Sequence, residues 1–236
     1  MSERAFVAGA TGYTGRAVVS ELRRRGLTTT AHVRPDSSSL SRWTQRFEEL
    51  GAVVDTTAWE LEAMTTTLAA VQPTVVFALL GTTRRRAATE GMDSKAGYER
   101  IDYGLSKLLL DACRAAAPQA RFIYLSSLGV KEGTRNPYLS ARARVERALR
   151  DCGQPFTVAR PSFISGPGRD EDRLGERVGA TVADALLGAV GWLGARRTRD
   201  RFASMDADTL AAGLVRAALD PEARDAVLEA DALRAG

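Results

Sequence analysis

The sequence predicts a doubly wound α/β domain built on a parallel sheet, one domain with a small C-terminal cap, and three observations carry that expectation. Strand-like runs recur at Ala5–Ala8, Thr28–Val33, Ala52–Asp55, Thr74–Leu80, Phe122–Ser126 and Phe156–Ala159, with helical patterns between them. Alternation of this kind means parallel strands joined by crossover helices. Several of the runs are apolar without polar alternation, as expected when helices cover both faces of the sheet. The first run also leads directly into glycines spaced GxxGxxG at Gly9, Gly12 and Gly15, followed by the amphipathic segment Ala17, Val18, Leu22.

That third observation points to chemistry. Gly9 permits the tight turn off the strand, Gly12 lets backbone N–H groups approach a pyrophosphate, and Gly15 lets the following helix pack on the sheet. The helix N-terminus adds the positive end of a dipole. A strand before the glycines and a helix after them make this a dinucleotide-binding turn. Gly9, Thr11, Gly12, Tyr13, Thr14 and Gly15 are its candidate cofactor contacts.

The second strand ends in His32-Val33-Arg34-Pro35-Asp36. NAD binders place an acid there for the ribose 2′-hydroxyl, whereas NADP binders use an arginine for the 2′-phosphate. Arg34 ends the strand directly and Asp36 lies beyond a proline, which favours NADP over NAD. Asp55, after the third strand, reads either as a partner for the adenine amino group or as a turn residue. The helix around Ile101–Ala116 puts Ile101, Leu105, Leu108, Leu109, Ala112 and Ala116 on one face, which packs on the sheet. In the helix that begins at Tyr138, the residues Tyr138, Arg142, Val145 and Leu149 share a face, with Arg144, Glu146, Arg147 and Arg150 largely elsewhere. Beyond Pro161 the pattern loosens into a Gly- and Arg-rich stretch, Gly166–Arg201, with an apolar helical piece near Val182–Leu193, read as a mobile cap over the ligand. A last helix from about Asp206 to Leu219, followed by Pro221, closes the chain.

Composition narrows the classes. With 236 residues the chain suits one α/β core, read as a cofactor-binding part over 1–160 and a substrate-capping part over 161–236. The first strand begins too early for a signal peptide and no apolar run approaches the ~18 residues of a membrane span, so a cytoplasmic protein with no membrane partner is expected. The formal charge of +4 is interspersed rather than clustered, which argues against nucleic acid. Of the 33 Lys+Arg residues only Lys95, Lys107 and Lys131 are lysine, a skew of coding bias. Cys113 and Cys152 read as inert packing thiols, and His32, the one histidine, leaves no multi-histidine metal site and makes a Ser-His-Asp triad improbable.

The glycine turn, Leu80-Gly81-Thr82-Thr83-Arg84 after the fourth strand, Leu125-Ser126-Ser127 after the fifth, Tyr138 opening the next helix and Arg160-Pro161 after the sixth occur in the order seen in atypical short-chain dehydrogenase/reductases. Over roughly residues 4 to 168 the chain resembles that superfamily, which has a Rossmann fold, and within it the Tat-interacting-protein, NmrA-type and epimerase-like branch. The resemblance implies a nicotinamide nucleotide cofactor, with Gly81 and Thr82 bordering the nicotinamide ribose and Pro161 to Phe163 bordering the nicotinamide. It also implies a catalytic group of Ser127, Tyr138 and a cation four residues after the tyrosine. A carbonyl reductase needs a hydroxyl to orient the substrate oxygen, an acid to protonate it and a cation to strengthen that acid, because an unperturbed phenol has a pKa of ~10. The family has a lysine where this chain has Arg142, which keeps the charge but cannot readily pass a proton.

Arg142 therefore leaves two readings of different class. One is an NADP-dependent oxidoreductase acting on a small carbonyl or alcohol, with Ser127, Tyr138 and Arg142 as its catalytic residues. The other is a redox-inactive, NADP-binding sensor of the NmrA type. A sugar-nucleotide epimerase suffers from the short region after Pro161. A second Y-x-x-x-K, Tyr103 and Lys107, precedes the serine strand and faces away from the apolar stripe, so it reads as a decoy turned toward solvent or a subunit partner. The sequence leaves the oligomeric state open, a homodimer through the helices at 99–117 and 138–151 being one arrangement it allows.

Overall fold

In chain order the elements are β1 (Arg4–Ala8), α1 (Tyr13–Arg24), β2 (Thr28–His32), α2 (Leu40–Glu49), β3 (Val53–Asp55), α3 (Leu61–Val71) and β4 (Val75–Ala78). Then come α4 (Ser94–Gly97), which runs through a π-helical stretch (Tyr98–Leu105) into α5 (Ser106–Ala116), β5 (Arg121–Leu125), α6 (Pro137–Asp151), β6 (Phe156–Arg160), α7 (Ala207–Leu219), β7 (Ala226–Glu229) and α8 (Ala230–Arg234). These come from a computed structural model that describes residues 3–82, 91–162, 164 and 205–235.

The described strands form one sheet in the order β3-β2-β1-β4-β5-β6-β7, and every pairing is parallel. The chain winds outward from β1 in both directions, so the order reverses between β1 and β4. In sheets of this kind ligands bind at that switch point, beyond the carboxyl ends of the strands. Strand residues alternate between two apolar layers. Ala5, Val7, Val75, Phe77 and Ile123 face α1 and α7, through Val18, Leu22, Leu210 and Leu214. Phe6, Ala8, Val76, Ala78, Phe122 and Tyr124 face α3, α5 and α6, through Met64, Leu68, Leu109, Val145 and Leu149. Each fully buried Leu, Val or Phe contributes roughly 1.5–3 kcal/mol, and the two layers hold the strand ends in register.

Three expectations change. Residues 205–235, assigned from sequence to the capping part, complete the core: α7 packs in the first layer and β7 pairs with β6 from Thr157↔Ala226 to Arg160↔Glu229. The chain thus does not close at α7. The stripe predicted along 101–116 is interrupted, because Tyr98–Leu105 is π-helical and shifts the phase, burying Asp102, Ser106 and Leu110 beside Leu109 and leaving Leu105 and Leu108 half-buried. Glu146, placed from sequence away from the buried face of its helix, is 1% exposed. The cap expected over 166–201, with its helical piece at 182–193, lies outside the described residues. No helix among the described residues is long and apolar enough to cross a membrane.

Candidate functional site

The glycine turn is folded back on itself. Gly9 has φ +82°, and a Cβ there would lie 2.6 Å from the Leu79 carbonyl oxygen at the end of β4. A Cβ at Gly15 would lie 2.1 Å from the Gly9 carbonyl oxygen, so this glycine seats α1 on the turn itself rather than on the sheet. The Gly12 N–H donates to the Gly9 carbonyl at 3.0 Å. Gly12 is the exposed N-cap of α1, with no side chain to cap the helix and no acidic residue in its first turn. The positive helix end thus carries neither a side-chain cap nor an acid of its own first turn, and these residues fit a pyrophosphate. Thr14 is buried, and Thr11 and Tyr13 are half-buried around the turn. The Arg16 guanidinium lies 5.9 Å from the Tyr13 ring and 5.7 Å from the Trp43 ring.

At the ends of β2 and β3, Arg34 is half-exposed, with Asp36 3.7 Å from its Nε. The acid displaced past Pro35 therefore still faces the arginine. Asp55 caps its own turn: Oδ1 accepts from the Thr57 hydroxyl at 2.7 Å and Oδ2 from the Thr57 N–H at 3.3 Å. Its turn role is thus seen directly. His32, the last residue of β2, is buried beside it.

Tyr138, Arg142 and the ends of β4 and β5 come together at the carboxyl edge. Asn136 accepts the Leu139 N–H at 3.2 Å and Pro137 opens the helix, which fixes where α6 starts and aims Tyr138 at the edge. Tyr138 is half-buried, its ring 5.4 Å from that of Tyr98 in a T-shaped pair and 4.8 Å from the Arg142 guanidinium carbon. Arg142 is only 5% exposed. Its Nη1 donates to the Leu125 carbonyl, and its Nη2 donates to the Leu80 carbonyl at 3.4 Å and to Asp102 Oδ1 at 2.9 Å. The other oxygen of Asp102, Oδ2, accepts the Thr82 N–H at 3.0 Å. Burial works against the Arg142 charge, but Tyr138, Tyr124 and Asp102 outweigh it and hold the guanidinium firmly protonated.

Asp102 was missed in the sequence because a helical period of 3.6 puts Ile101 and Leu105 inward, whereas the π-helical stretch turns Asp102 in as well, to 0% exposed. The one available signal was the arginine itself, since an arginine on an apolar stripe calls for an acid.

Ser127 is buried two residues past β5, with its hydroxyl 3.4 Å from the Leu128 carbonyl, while Gly81 and Thr82 follow β4. Pro161 is buried after β6, its carbonyl accepting the Leu128 N–H at 3.1 Å, and ties the β5 and β6 loops together. Phe163, and Thr83 and Arg84 of the fourth-strand motif, lie outside the described residues. Beneath the site, Glu146 accepts the Ser126 hydroxyl at 2.6 Å and the Arg160 guanidinium at 3.0 and 2.6 Å, which explains its burial. The Y-x-x-x-K read as a decoy is engaged elsewhere: the Arg144 guanidinium stacks 3.6 Å from the Tyr103 ring centroid, and Lys107 Nζ binds both Asp111 oxygens.

The sequence matches the model of an NAD(P)H-binding family over residues 9–190. It is 34% identical to a ceramide reductase of Caulobacter vibrioides (strain NA1000 / CB15N) over 79 residues, which is 34% of this chain and 24% of that protein. It is 28% identical to the chloroplastic protein TIC 62 of Oryza sativa subsp. japonica over 200 residues, 78% of this chain and 40% of that protein. The chain therefore spans well under half the length of these curated relatives. Among solved structures, UDP-glucose 4-epimerase from Brucella ovis in complex with NAD aligns with a TM-score of 0.66 at 18% identity, covering 97% of this chain and 77% of that one, a likeness of fold.

Proposed function

The chain belongs to the NAD(P)H-binding family, and on that premise we propose that it is an NADP-dependent oxidoreductase that interconverts the carbonyl and alcohol of a small substrate. The observation that carries this is the Tyr138 phenol set against a buried guanidinium at the switch-point edge, beside the glycine turn. The bound nicotinamide supplies or accepts the hydride. The chain's own groups do the rest. The glycine turn and the first turn of α1 bind the pyrophosphate at the positive helix end, and Arg34 pairs with the 2′-phosphate. Ser127 orients the substrate oxygen, and Tyr138 gives it a proton as negative charge develops there. Arg142 steadies the Tyr138 ring from below.

Following NADPH absorbance with a panel of aldehydes, ketones and quinones tests this reading. Wild-type protein is expected to turn over at least one of them, and Tyr138→Phe should lower kcat by roughly 10²–10⁴-fold, the scale of a lost general acid, with NADPH affinity almost unchanged. Turnover that survives Tyr138→Phe would move the proton to another donor. The sensor reading keeps one observation of its own: the Arg142 guanidinium is bound to Asp102 and two carbonyls, a structural arrangement that needs no reaction. Tight NADPH binding without turnover of any substrate would favour it.

A further inference from the structure

We propose that Asp102 is a positioning residue of this site: by holding the Arg142 guanidinium in a buried, neutral pair, it sets how much positive charge the Tyr138 phenol faces. The inference rests on the reading of Tyr138 as the proton donor. Arg142 alone would be a buried cation whose guanidinium carbon lies 4.8 Å from the Tyr138 ring, a placement that makes a phenol markedly more acidic. Asp102 alters that field. Its Oδ1 lies 2.9 Å from Nη2, so Tyr138 faces a pair of opposite charges rather than a lone cation. The pair cannot drift apart. Oδ2 is anchored to the Thr82 N–H at the end of β4, Nη1 is anchored to the Leu125 carbonyl at the end of β5, and the carboxylate is 0% exposed.

The groups packed around the phenol come from three elements. Arg142 lies on its own helix, Tyr98 and Asp102 come from the π-helical stretch, and Tyr124 comes from β5 with its ring centroid 5.9 Å from the Arg142 guanidinium carbon. Glu146 is turned away, its oxygens on Ser126, Arg150 and Arg160. Of these, Asp102 is the acid bound directly to the Arg142 charge. A carboxylate buried only to hold a helix in place would act on packing and leave the titration of Tyr138 untouched, whereas a charge-setting carboxylate must move it.

Ultraviolet difference titration of tyrosinate on the full chain, without cofactor or substrate, reads this directly. Each protein is compared with its own Tyr138→Phe counterpart, so that Tyr138 is separated from the other four of the five tyrosines. Asp102→Asn leaves the Arg142 charge uncompensated, and the Tyr138 midpoint is expected to fall by about one to three pH units. Asp102→Asn combined with Arg142→Gln removes both charges, and the midpoint should return close to that of wild type. An unchanged midpoint in Asp102→Asn, or equal displacement in the single and double variants, would overturn the proposal. Should Asp102→Asn fail to fold, Arg142→Gln is compared with the double variant. The Asp102 charge is then the difference between them, so the single variant must titrate higher, and equal midpoints would overturn the proposal. Because no substrate enters the titration, its outcome is separate from that of the turnover assay.

Discussion

His32 ends β2 with its ring 4.8 Å from Trp59 and 6.0 Å from Phe6, and its Nε2 lies 2.9 Å from the Thr57 carbonyl. Burial holds its pKa below the ordinary histidine value, against the opposing pull of the Thr57 carbonyl and Asp55. The native state therefore binds fewer protons than the unfolded chain, so stability rises with pH across the window below about 6.5 and is lost as pH falls through it. Urea midpoints measured downward from about pH 6.5 should show a loss approaching 1.4 kcal/mol per pH unit that is absent in His32→Gln. An identical slope in both proteins would place the titrating group elsewhere. Glu21, held at about 2 chiefly by its bond to Arg24, begins to cost stability only as pH falls toward its unfolded value of about 4.5, and it does so equally in both proteins. The lone histidine in a strand-like run could be read from sequence as structural. Its carbonyl partner could not, because Thr57 lies in a loop whose path depends on β3. Cys113 is read more simply: burial raises its thiol to about 12, as suits a packing residue.

Elements differ in how far local pattern determines them. The six runs expected as strands all lie in the sheet because each is built largely of apolar or β-branched residues, the threonines of β2 included, and β7 escaped notice because Ala226–Glu229 is short, half-exposed and carries one strong β-former, Val227. The π-helical stretch escaped for a different reason. Its phase change is enforced by burying Asp102 under Arg142, a contact 40 residues apart that no periodicity reports. The same limit hid the packing of α7 on α8. Gly213 lies inside α7, where alanine would ordinarily be the better helix former by about 1 kcal/mol. Yet an added Cβ would meet the Leu233 carbonyl oxygen at 2.1 Å, a backbone atom that Arg216 Nη2 also holds at 3.1 Å. Overpacking of that kind costs about 1–3 kcal/mol. Gly213→Ala is therefore expected to destabilise the protein, against its helix propensity, with a lower denaturant midpoint as the readout. A higher midpoint would mean that α8 yields easily and adds little to the fold.

The site belongs to the molecule as a whole, since no single element carries it. The glycine turn follows β1, Gly81 and Thr82 follow β4, Ser127 follows β5, Tyr138 opens α6, and parallel pairing brings all of these to one edge. This much was legible, because motif order along a doubly wound chain specifies position in the sheet. What the chain order left open was the state of Arg142, which depends on the turn of a different helix. Cofactor choice is a property at this same scale, because a nucleotide bound across the edge stabilises every strand that forms it. A ligand at a hundred times its Kd adds about 2.7 kcal/mol to unfolding free energy, and for a chain of this size each kcal/mol raises Tm by about 2–4 °C. With Arg34 half-exposed beside the edge and Asp36 3.7 Å from it, NADPH should raise Tm more than NADH at equal concentration. Arg34→Ala should remove about 1–3 kcal/mol of NADPH binding, the scale of a charge-assisted contact, and bring the two shifts together while leaving that of NADH nearly unchanged. Thermal scans of both proteins with both nucleotides decide it. Equal shifts in the wild type would show that Asp36 neutralises Arg34 and that the 2′-phosphate goes unread. Loss of both shifts in Arg34→Ala would assign that arginine to the common part of the nucleotide instead.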